Sequence, residues 1–351
     1  MTITSTGSDS RGDVVETEIT PVEAQPRLWG WILGVGVTVA VALGVALRVW
    51  SASPMWLDEA QTVAISRLPL HDIPGALRTD GAPPLYYLLL HVWMTVAGHG
   101  TNAIRLLSSV FSVATLPLAW RLGRIVSGRR GAITSLLLYA SSPFAVRYAT
   151  ETRMYALVLF LVTALLVLVF DGDHPAGPGR LALLGATTAA LLFTHYWGLL
   201  LVAVLGAFLV TRAAMRHAGA VPLLVAVAAG CVPFAAWLPA LVSQTRHTGA
   251  PWARPPGTAL VSTSLAGFAG GGTQAGNLLV VAFVGLLGAA FYTDLRASDH
   301  THAGRHLVAL GIGTLLLGVV ATSTSSQGYA PRHAAVALPP LLVAGALALA
   351  R

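Results

Sequence analysis

From Leu28 to Leu47 the chain runs through 20 positions without a charged side chain. At about 1.5 Å rise per residue, a helix of that length crosses a hydrocarbon core of about 30 Å. Comparable apolar runs recur down to the last residue. With 55% apolar residues, only 10% charged ones and a mean hydropathy of +0.71, the folded chain would not be solvated by water. The fold class is therefore all-α: a polytopic membrane helix bundle.

Basic residues set the topology. The formal charge of +7 and a pI near 10.2 would suit a nucleic-acid binder, but every one of the 21 basic residues is arginine, and they stand mostly between apolar runs. Positive-inside topology accounts for them, and no nucleic-acid partner is expected. The densest cluster, Arg121, Arg124, Arg129 and Arg130, is assigned to the cytoplasmic side. Spans are expected over 28–47, 104–120, 131–146, 154–170, 181–193, 196–211, 218–242, 278–293, 307–321 and 334–350, about ten in all, with both termini cytoplasmic. Residues 1–26, rich in Ser, Thr, Asp, Glu and Pro, read as a disordered cytoplasmic tail ahead of a single membrane domain over 27–351. The lone Cys231 lies in an apolar segment and offers neither a disulfide framework nor a Cys-based metal site.

This topology collects the chemistry on the opposite, outer face. Only five acids fall there: Asp58, Glu59, Asp72, Asp80 and Glu151. Asp58 and Glu59 follow the first span directly and are flanked by Trp50 and Trp56. Two adjacent carboxylates can mark nothing more than a helix start, but the scarcity of acids favours a site. Residues 61–83 mix charges and prolines with Ile65, Leu68, Leu70, Ile73 and Leu77, which suits amphipathic helices on the membrane plane. The 13 residues from Leu85 to Ala97 are too short to span comfortably. Glu151 and Arg153 share one brief outer connection, either as an ion pair of small worth or as site residues. His195 stands beside Tyr196 and Trp197 in another, and Arg332 precedes the last apolar run, where a guanidinium can hold a phosphate by two hydrogen bonds.

Taken in order, Asp58-Glu59, then Asp80-Gly81-Ala82-Pro83-Pro84-Leu85-Tyr86-Tyr87, Arg105-Leu106-Leu107-Ser108, Glu151-Thr152-Arg153-Met154-Tyr155 and Thr194-His195-Tyr196 resemble the GT-C membrane glycosyltransferases. The similarity is narrowest to the protein mannosyltransferase and aminoarabinose transferase branch, and runs from about residue 28 to 345. The resemblance implies transfer of a sugar, mannose or a pentose, from a polyprenyl-phosphate carrier to a hydroxyl of a glycan, lipid or protein at the outer face of the cell membrane, with inversion. It implies that Asp58 is the general base, with Glu59 next to it and Glu151 at the second acidic position. Arg153, Arg332 and His333 would take the phosphate. Asp80 and His195 stand where the aminoarabinose branch holds a divalent metal. The chain also departs from the pattern: His333 replaces a common tyrosine, and family members continue beyond the point matching Arg351, so this chain reads as truncated relative to them. No G-x-x-x-x-G-K loop appears, so no nucleotide is expected. The competing classes are a secondary transporter, which would place its ionisable residues near the bilayer midplane, and a non-catalytic scaffold of the cell envelope. Convergence of the outer charges on one outer cavity would favour the enzyme.

Overall fold

The computed structural model describes residues 25–172, 176–247, 257–296, 303–323 and 329–351. It divides into two units, Met1–Val39 and Ala40–Arg351. The tail expected over residues 1–26 lies outside the described residues apart from Gln25 and Pro26, which open the first helix, α1 (Gln25–Val49). Within the first unit, Thr38 returns its hydroxyl to the carbonyl of Gly34, the local bond by which a hydroxyl is satisfied inside a helix. All that follows concerns the second unit.

No strand occurs among the described residues. After α1 come α2 (Leu57–Ser66), α3 (Ile73–Asp80) and α4 (Leu85–Ala97), then α5 (Thr101–Ser141), α6 (Pro143–Ala149) and α7 (Tyr155–Phe170). The chain continues through α8 (Pro178–Leu192), α9 (Trp197–Ala214), α10 (Ala220–Cys231), a 3₁₀ turn (Val232–Trp237) and α11 (Leu238–His247). It ends with α12 (Ala259–Phe268), α13 (Gln274–Arg296), α14 (Ala303–Ser323), a second 3₁₀ turn (Pro331–Ala337) and α15 (Leu338–Ala350).

Seven stretches among the described residues are long and apolar enough to cross a membrane, against the ten expected. The difference has identifiable sources. Expected spans two and three are the arms of one continuous element, α5, broken at Ser127 and at Gly128, whose φ of +64° few residues but glycine adopt. The arms fold back so closely that a Cβ on Gly123 would lie 2.2 Å from the carbonyl oxygen of Gly131. The other two, α7 and α8, are helical but only 16 and 15 residues long. α7 is apolar on every side and buried along most of its length, as expected for the centre of a bundle and not for its lipid face. α15 is buried in the same way.

The α5 hairpin sets the polarity of the molecule. Arg105 stands near the start of its first arm, while Arg121, Arg124, Arg129 and Arg130 surround the turn. Some twenty residues separate the two ends, about 30 Å of helix. The second arm stops short of its expected end at Val146, because Pro143 forces Ser142 out of helical backbone (φ −60°, ψ 118°). Ser142 then caps α6 through its hydroxyl, which accepts the Ala145 N–H. The carbonyls left at the end of α5 are taken by the buried guanidinium of Arg48, which donates to Tyr139, Ala140 (2.7 Å), Gly44 and the Ser112 hydroxyl.

α2 and α3 are amphipathic as expected: Val63, Ile73 and Leu77 are buried, while Leu68 and Leu70, in the turn between, are exposed. α4 occupies the 13 residues read from the sequence.

Candidate active site

Trp56, in extended backbone, delivers the chain to α2, so Asp58 and Glu59 both fall in the first helical turn. Successive residues of a helix point about 100° apart, and the two acids part company accordingly. Glu59 is fully buried. Arg105 grips it with a fork, Nε to Oε1 at 2.9 Å and Nη2 to Oε2 at 2.7 Å. The backbone N–H of Thr152 adds a third bond at 2.7 Å. Arg105 in turn donates to the carbonyls of Ser53 (2.8 Å) and Pro54 (3.2 Å). One carboxylate thus joins α2, α5, the connection after α1 and the connection before α7. Expected among the catalytic acids, Glu59 has both oxygens engaged, and this arrangement suits a tie between elements, not a proton acceptor.

Asp58 is the half-exposed partner, with 29% of its side chain accessible. Its Oδ2 lies 3.3 Å from Arg332 Nη2 and 3.9 Å from Arg153 Nη2. Arg153 is steered by Nη1, which donates to the Thr62 hydroxyl (2.7 Å) and to the Asp58 carbonyl (3.2 Å). Burial works against its charge, but the neighbouring Tyr155, Tyr87 and Asp58 outweigh that and raise its pKa. Arg332 enters from the 3₁₀ turn before α15 and sits 5.2 Å over the Trp56 ring, a cation–π contact that orients the guanidinium.

Several polar atoms in this cluster are buried without a partner: Nε of Arg153, Nε of Arg332, Nε1 of Trp56, Oε2 of Glu151 and Oγ1 of Thr152. Leaving a buried polar group unpaired costs about 1–3 kcal/mol. Two of the five are N–H groups of the guanidiniums that flank the Asp58 carboxylate, and a third is on the Trp56 ring beneath Arg332, a set suited to an anionic ligand.

Glu151 does not pair with Arg153, the ion pair weighed from the sequence. Its Oε1 accepts from Arg147 Nε at 3.0 Å, four residues back, and Arg153 is left for Asp58. Asp80 accepts from the Tyr87 hydroxyl (2.9 Å) and from Gln61. It adjoins the Asp58 cluster through Gln61, on the same helix as Asp58, and through Tyr87, whose hydroxyl also neighbours Thr62. His195 and His333 face each other with ring centres 6.2 Å apart, and Tyr155 lies 5.7 Å from His195. In each histidine Nδ1 accepts a backbone N–H, from Trp197 (3.2 Å) and Ala330 (3.3 Å). A ring nitrogen that accepts has no proton, so both neutral rings carry theirs on Nε2. Burial, with His333 and Arg153 nearby, pushes the His195 pKa down to about 3.

A metal at Asp80 and His195 does not fit this arrangement. The two side chains are committed to different neighbours, and no group of three or more His, Cys, Asp or Glu able to hold a metal ion occurs among the described residues.

Asp58, Glu151, Arg153, His195, Arg332 and His333 are therefore gathered at one end of the bundle, opposite the arginine-rich turn of α5. Asp58, Arg153 and Arg332 form the charged centre, with the neutral rings of His195 and His333 beside it and Glu151 turned to Arg147. Sequence patterns alone do not single out Arg147, Thr62 or Arg48. Arg105 carries a signal of its own, beyond its place in the Arg105–Ser108 motif, since it is the sole charge in the expected second span, 104–120.

Residues 81–238 match the model of the family described as dolichyl-phosphate-mannose-protein mannosyltransferase. That stretch takes in Arg105, Glu151, Arg153 and His195. No curated protein matches the chain significantly in sequence. Among solved structures, ArnT from Cupriavidus metallidurans in the apo state superposes with a TM-score of 0.66 at 17% identity, over 93% of this chain and 60% of that one. The same protein bound to undecaprenyl phosphate gives 0.61 at 18% identity, over 93% and 61%. The Archaeoglobus fulgidus oligosaccharyltransferase in complex with Zn and sulfate gives 0.54 at 15% identity, over 89% and 48%. The chain spans about three fifths of the length of ArnT and about half that of the oligosaccharyltransferase. Identities this low carry the fold alone, and the fold agrees with the family match: this chain has the ArnT-like GT-C fold and is similar to the protein mannosyltransferase and aminoarabinose transferase branch of the membrane glycosyltransferases.

Proposed function

We propose that the chain is an integral membrane glycosyltransferase that moves a sugar, mannose or a pentose, from a polyprenyl-phosphate carrier to an acceptor hydroxyl at the outer face of the cell membrane. The observation that carries this reading is the Asp58 carboxylate flanked by two guanidiniums, Arg332 at 3.3 Å and Arg153 at 3.9 Å, each with a buried Nε that has no partner. The bound lipid in the ArnT complex, undecaprenyl phosphate, has the headgroup chemistry such a site would take.

In the proposed reaction a phosphate oxygen of the carrier replaces Asp58 as the partner of Arg332. Asp58, released from that contact, accepts the proton of the acceptor hydroxyl as its oxygen forms a bond to the anomeric carbon. The bond from that carbon to the phosphate oxygen breaks on the opposite face, so configuration inverts and the electron pair leaves on the phosphate. Arg332 and Arg153 take up the developing charge. The Nε2–H groups of His195 and His333 add neutral hydrogen-bond donors. Stabilisation of this kind is stronger at a water-poor site than in bulk water. Arg105 and Glu59 hold the elements that carry Asp58 and Arg153 and touch no substrate.

The test is direct. The purified protein in liposomes is given polyprenyl-phosphate mannose or polyprenyl-phosphate pentose with a membrane extract as acceptor source, and released polyprenyl phosphate and labelled product are followed by mass spectrometry. Transfer that depends on one carrier supports the reading. Equal background with wild-type protein and Asp58→Asn for every carrier would refute it.

A further inference from the structure

Glu151, and Tyr148 one turn before it, take no part in the proposed reaction. Tyr148 stands in the last turn of α6 and is only 6% exposed. Its ring is held between Phe144, with ring centres 4.4 Å apart, and Tyr155, at 4.7 Å, so the direction of its hydroxyl is set. The other buried tyrosines are satisfied: Tyr86 by Ser108 (2.8 Å), Tyr87 by Asp80 (2.9 Å), Tyr139 by Thr163 (2.8 Å) and Tyr155 by Arg153. The Tyr148 hydroxyl has no hydrogen-bond partner among the described residues. Polar groups buried by the fold are almost always paired, so one that is not asks for an explanation.

Glu151 is half satisfied. Its Oε1 accepts from Arg147 Nε at 3.0 Å, while Oε2 is buried without a partner. The Tyr148 phenol lies within electrostatic reach of Glu151, Arg147 and Arg332. An unmet donor and an unmet acceptor therefore share one region, next to the guanidinium that would hold the carrier phosphate. Burial pushes the Tyr148 pKa up to about 12, so the phenol keeps its proton at neutral pH and can donate.

We propose that Tyr148 and Glu151 form a subsite for the sugar carried on the polyprenyl phosphate, with Glu151 Oε2 accepting from one sugar hydroxyl and the Tyr148 hydroxyl donating to the same or the adjacent oxygen. A hydroxyl both donates and accepts, which is the pairing these two atoms require. An ionised phosphate only accepts and would meet the Glu151 charge, and a cation would meet Arg147 and Arg332. Proximity to Arg332 assigns the subsite to the sugar joined to that phosphate, and the inference rests on the carrier reading above.

Binding to the reconstituted full chain, without acceptor, is measured for polyprenyl phosphate, polyprenyl-phosphate mannose and polyprenyl-phosphate pentose. The wild type should bind one of the two sugar carriers more tightly than the bare lipid. Tyr148→Phe removes only the hydroxyl and should reduce that preference about fivefold. In Glu151→Gln the single amide oxygen stays with Arg147, which turns an NH2 donor to the sugar where an acceptor is needed, and the preference should fall about tenfold. Neither change should alter affinity for bare polyprenyl phosphate. The thermal midpoint of Tyr148→Phe should be no lower than that of the wild type, since the hydroxyl has no bond in the fold to lose. An unchanged preference in both variants would overturn the subsite, leaving water as the partner of the two atoms, and transfer by the wild type would still stand. Equal loss of affinity for bare and sugar-bearing lipid would also overturn it, because the residues would then act on the phosphate or on the fold. Failure of the wild type to bind any of the three lipids would overturn the subsite and the carrier reading together.

Discussion

Arg332 and Asp58 stand 274 positions apart in sequence and 3.3 Å apart in space. Each comes from the first turn of a helical segment at the same end of the bundle, Asp58 from α2 and Arg332 from the 3₁₀ turn before α15. In the proposed reaction this contact is a placeholder, which the carrier phosphate takes over.

If Asp58 is the base, Asp58→Asn should keep the shape of the site and the binding of polyprenyl phosphate while turnover falls by about 10² to 10⁴-fold. Transfer assays with the reconstituted variant measure the turnover, and lipid binding is measured separately. Near wild-type turnover would remove Asp58 from the chemistry.

Arg332 should matter for binding the carrier. Arg332→Ala loses both the charge and the fork, and affinity for polyprenyl phosphate should fall about tenfold or more, the worth of a charge-assisted hydrogen bond. Arg332→Lys keeps the charge but neither the planar fork nor the same contact with Trp56, so its affinity should lie between the two. A titration of tryptophan fluorescence reads both effects, since Trp56 lies under the guanidinium. Unchanged affinity in Arg332→Ala would place the phosphate elsewhere.

Much of this arrangement is legible in the amino-acid sequence. Charge-free runs separated by arginine clusters locate the helices, because a membrane leaves a chain few other places for either. The scarcity of acids picks out Asp58 and Glu151, since a carboxylate on a membrane protein needs a reason to be there. Which acid does what is not legible. Asp58 and Glu59 are neighbours with the same chemistry, and only the approach of Arg105, 46 positions away, commits Glu59 to the interior. Arg153 and Arg147 both lie near Glu151 in sequence, and backbone direction after α6 decides which one meets it. The break at Gly128 falls in the expected connection 121–130, and the expected end of the third span at Val146 fails where a single residue, Pro143, overrides hydropathy.

Glu59 and Arg105 give a prediction about folding. Removing one member of a buried ion pair leaves the other uncompensated, at a cost of about 3–5 kcal/mol, whereas replacing both by apolar residues costs far less. Arg105→Leu should therefore lower the thermal midpoint strongly, and the double variant Glu59→Leu with Arg105→Leu should recover much of that loss. A double variant no more stable than Arg105→Leu would show that the remaining bonds of the cluster, such as Arg105 to the Ser53 carbonyl, matter more than the pairing itself.

The acid response of the fold should run through His195. Burial, with His333 and Arg153 nearby, lowers its pKa from 6.5 to about 3, so the folded state resists a proton that the unfolded chain accepts. The stability contributed by the neutral ring is present in full above pH about 6.5, where neither state is protonated. It is lost as pH falls from about 6.5 towards 3, at about 1.4 kcal/mol per pH unit. His195→Gln keeps a polar side chain in the turn between α8 and α9 but cannot titrate. Thermal midpoints of the reconstituted protein at pH 7 and pH 5 should therefore drop further in the wild type than in His195→Gln. Equal drops would mean that other groups set the acid sensitivity and that the ring accepts a proton within the folded site.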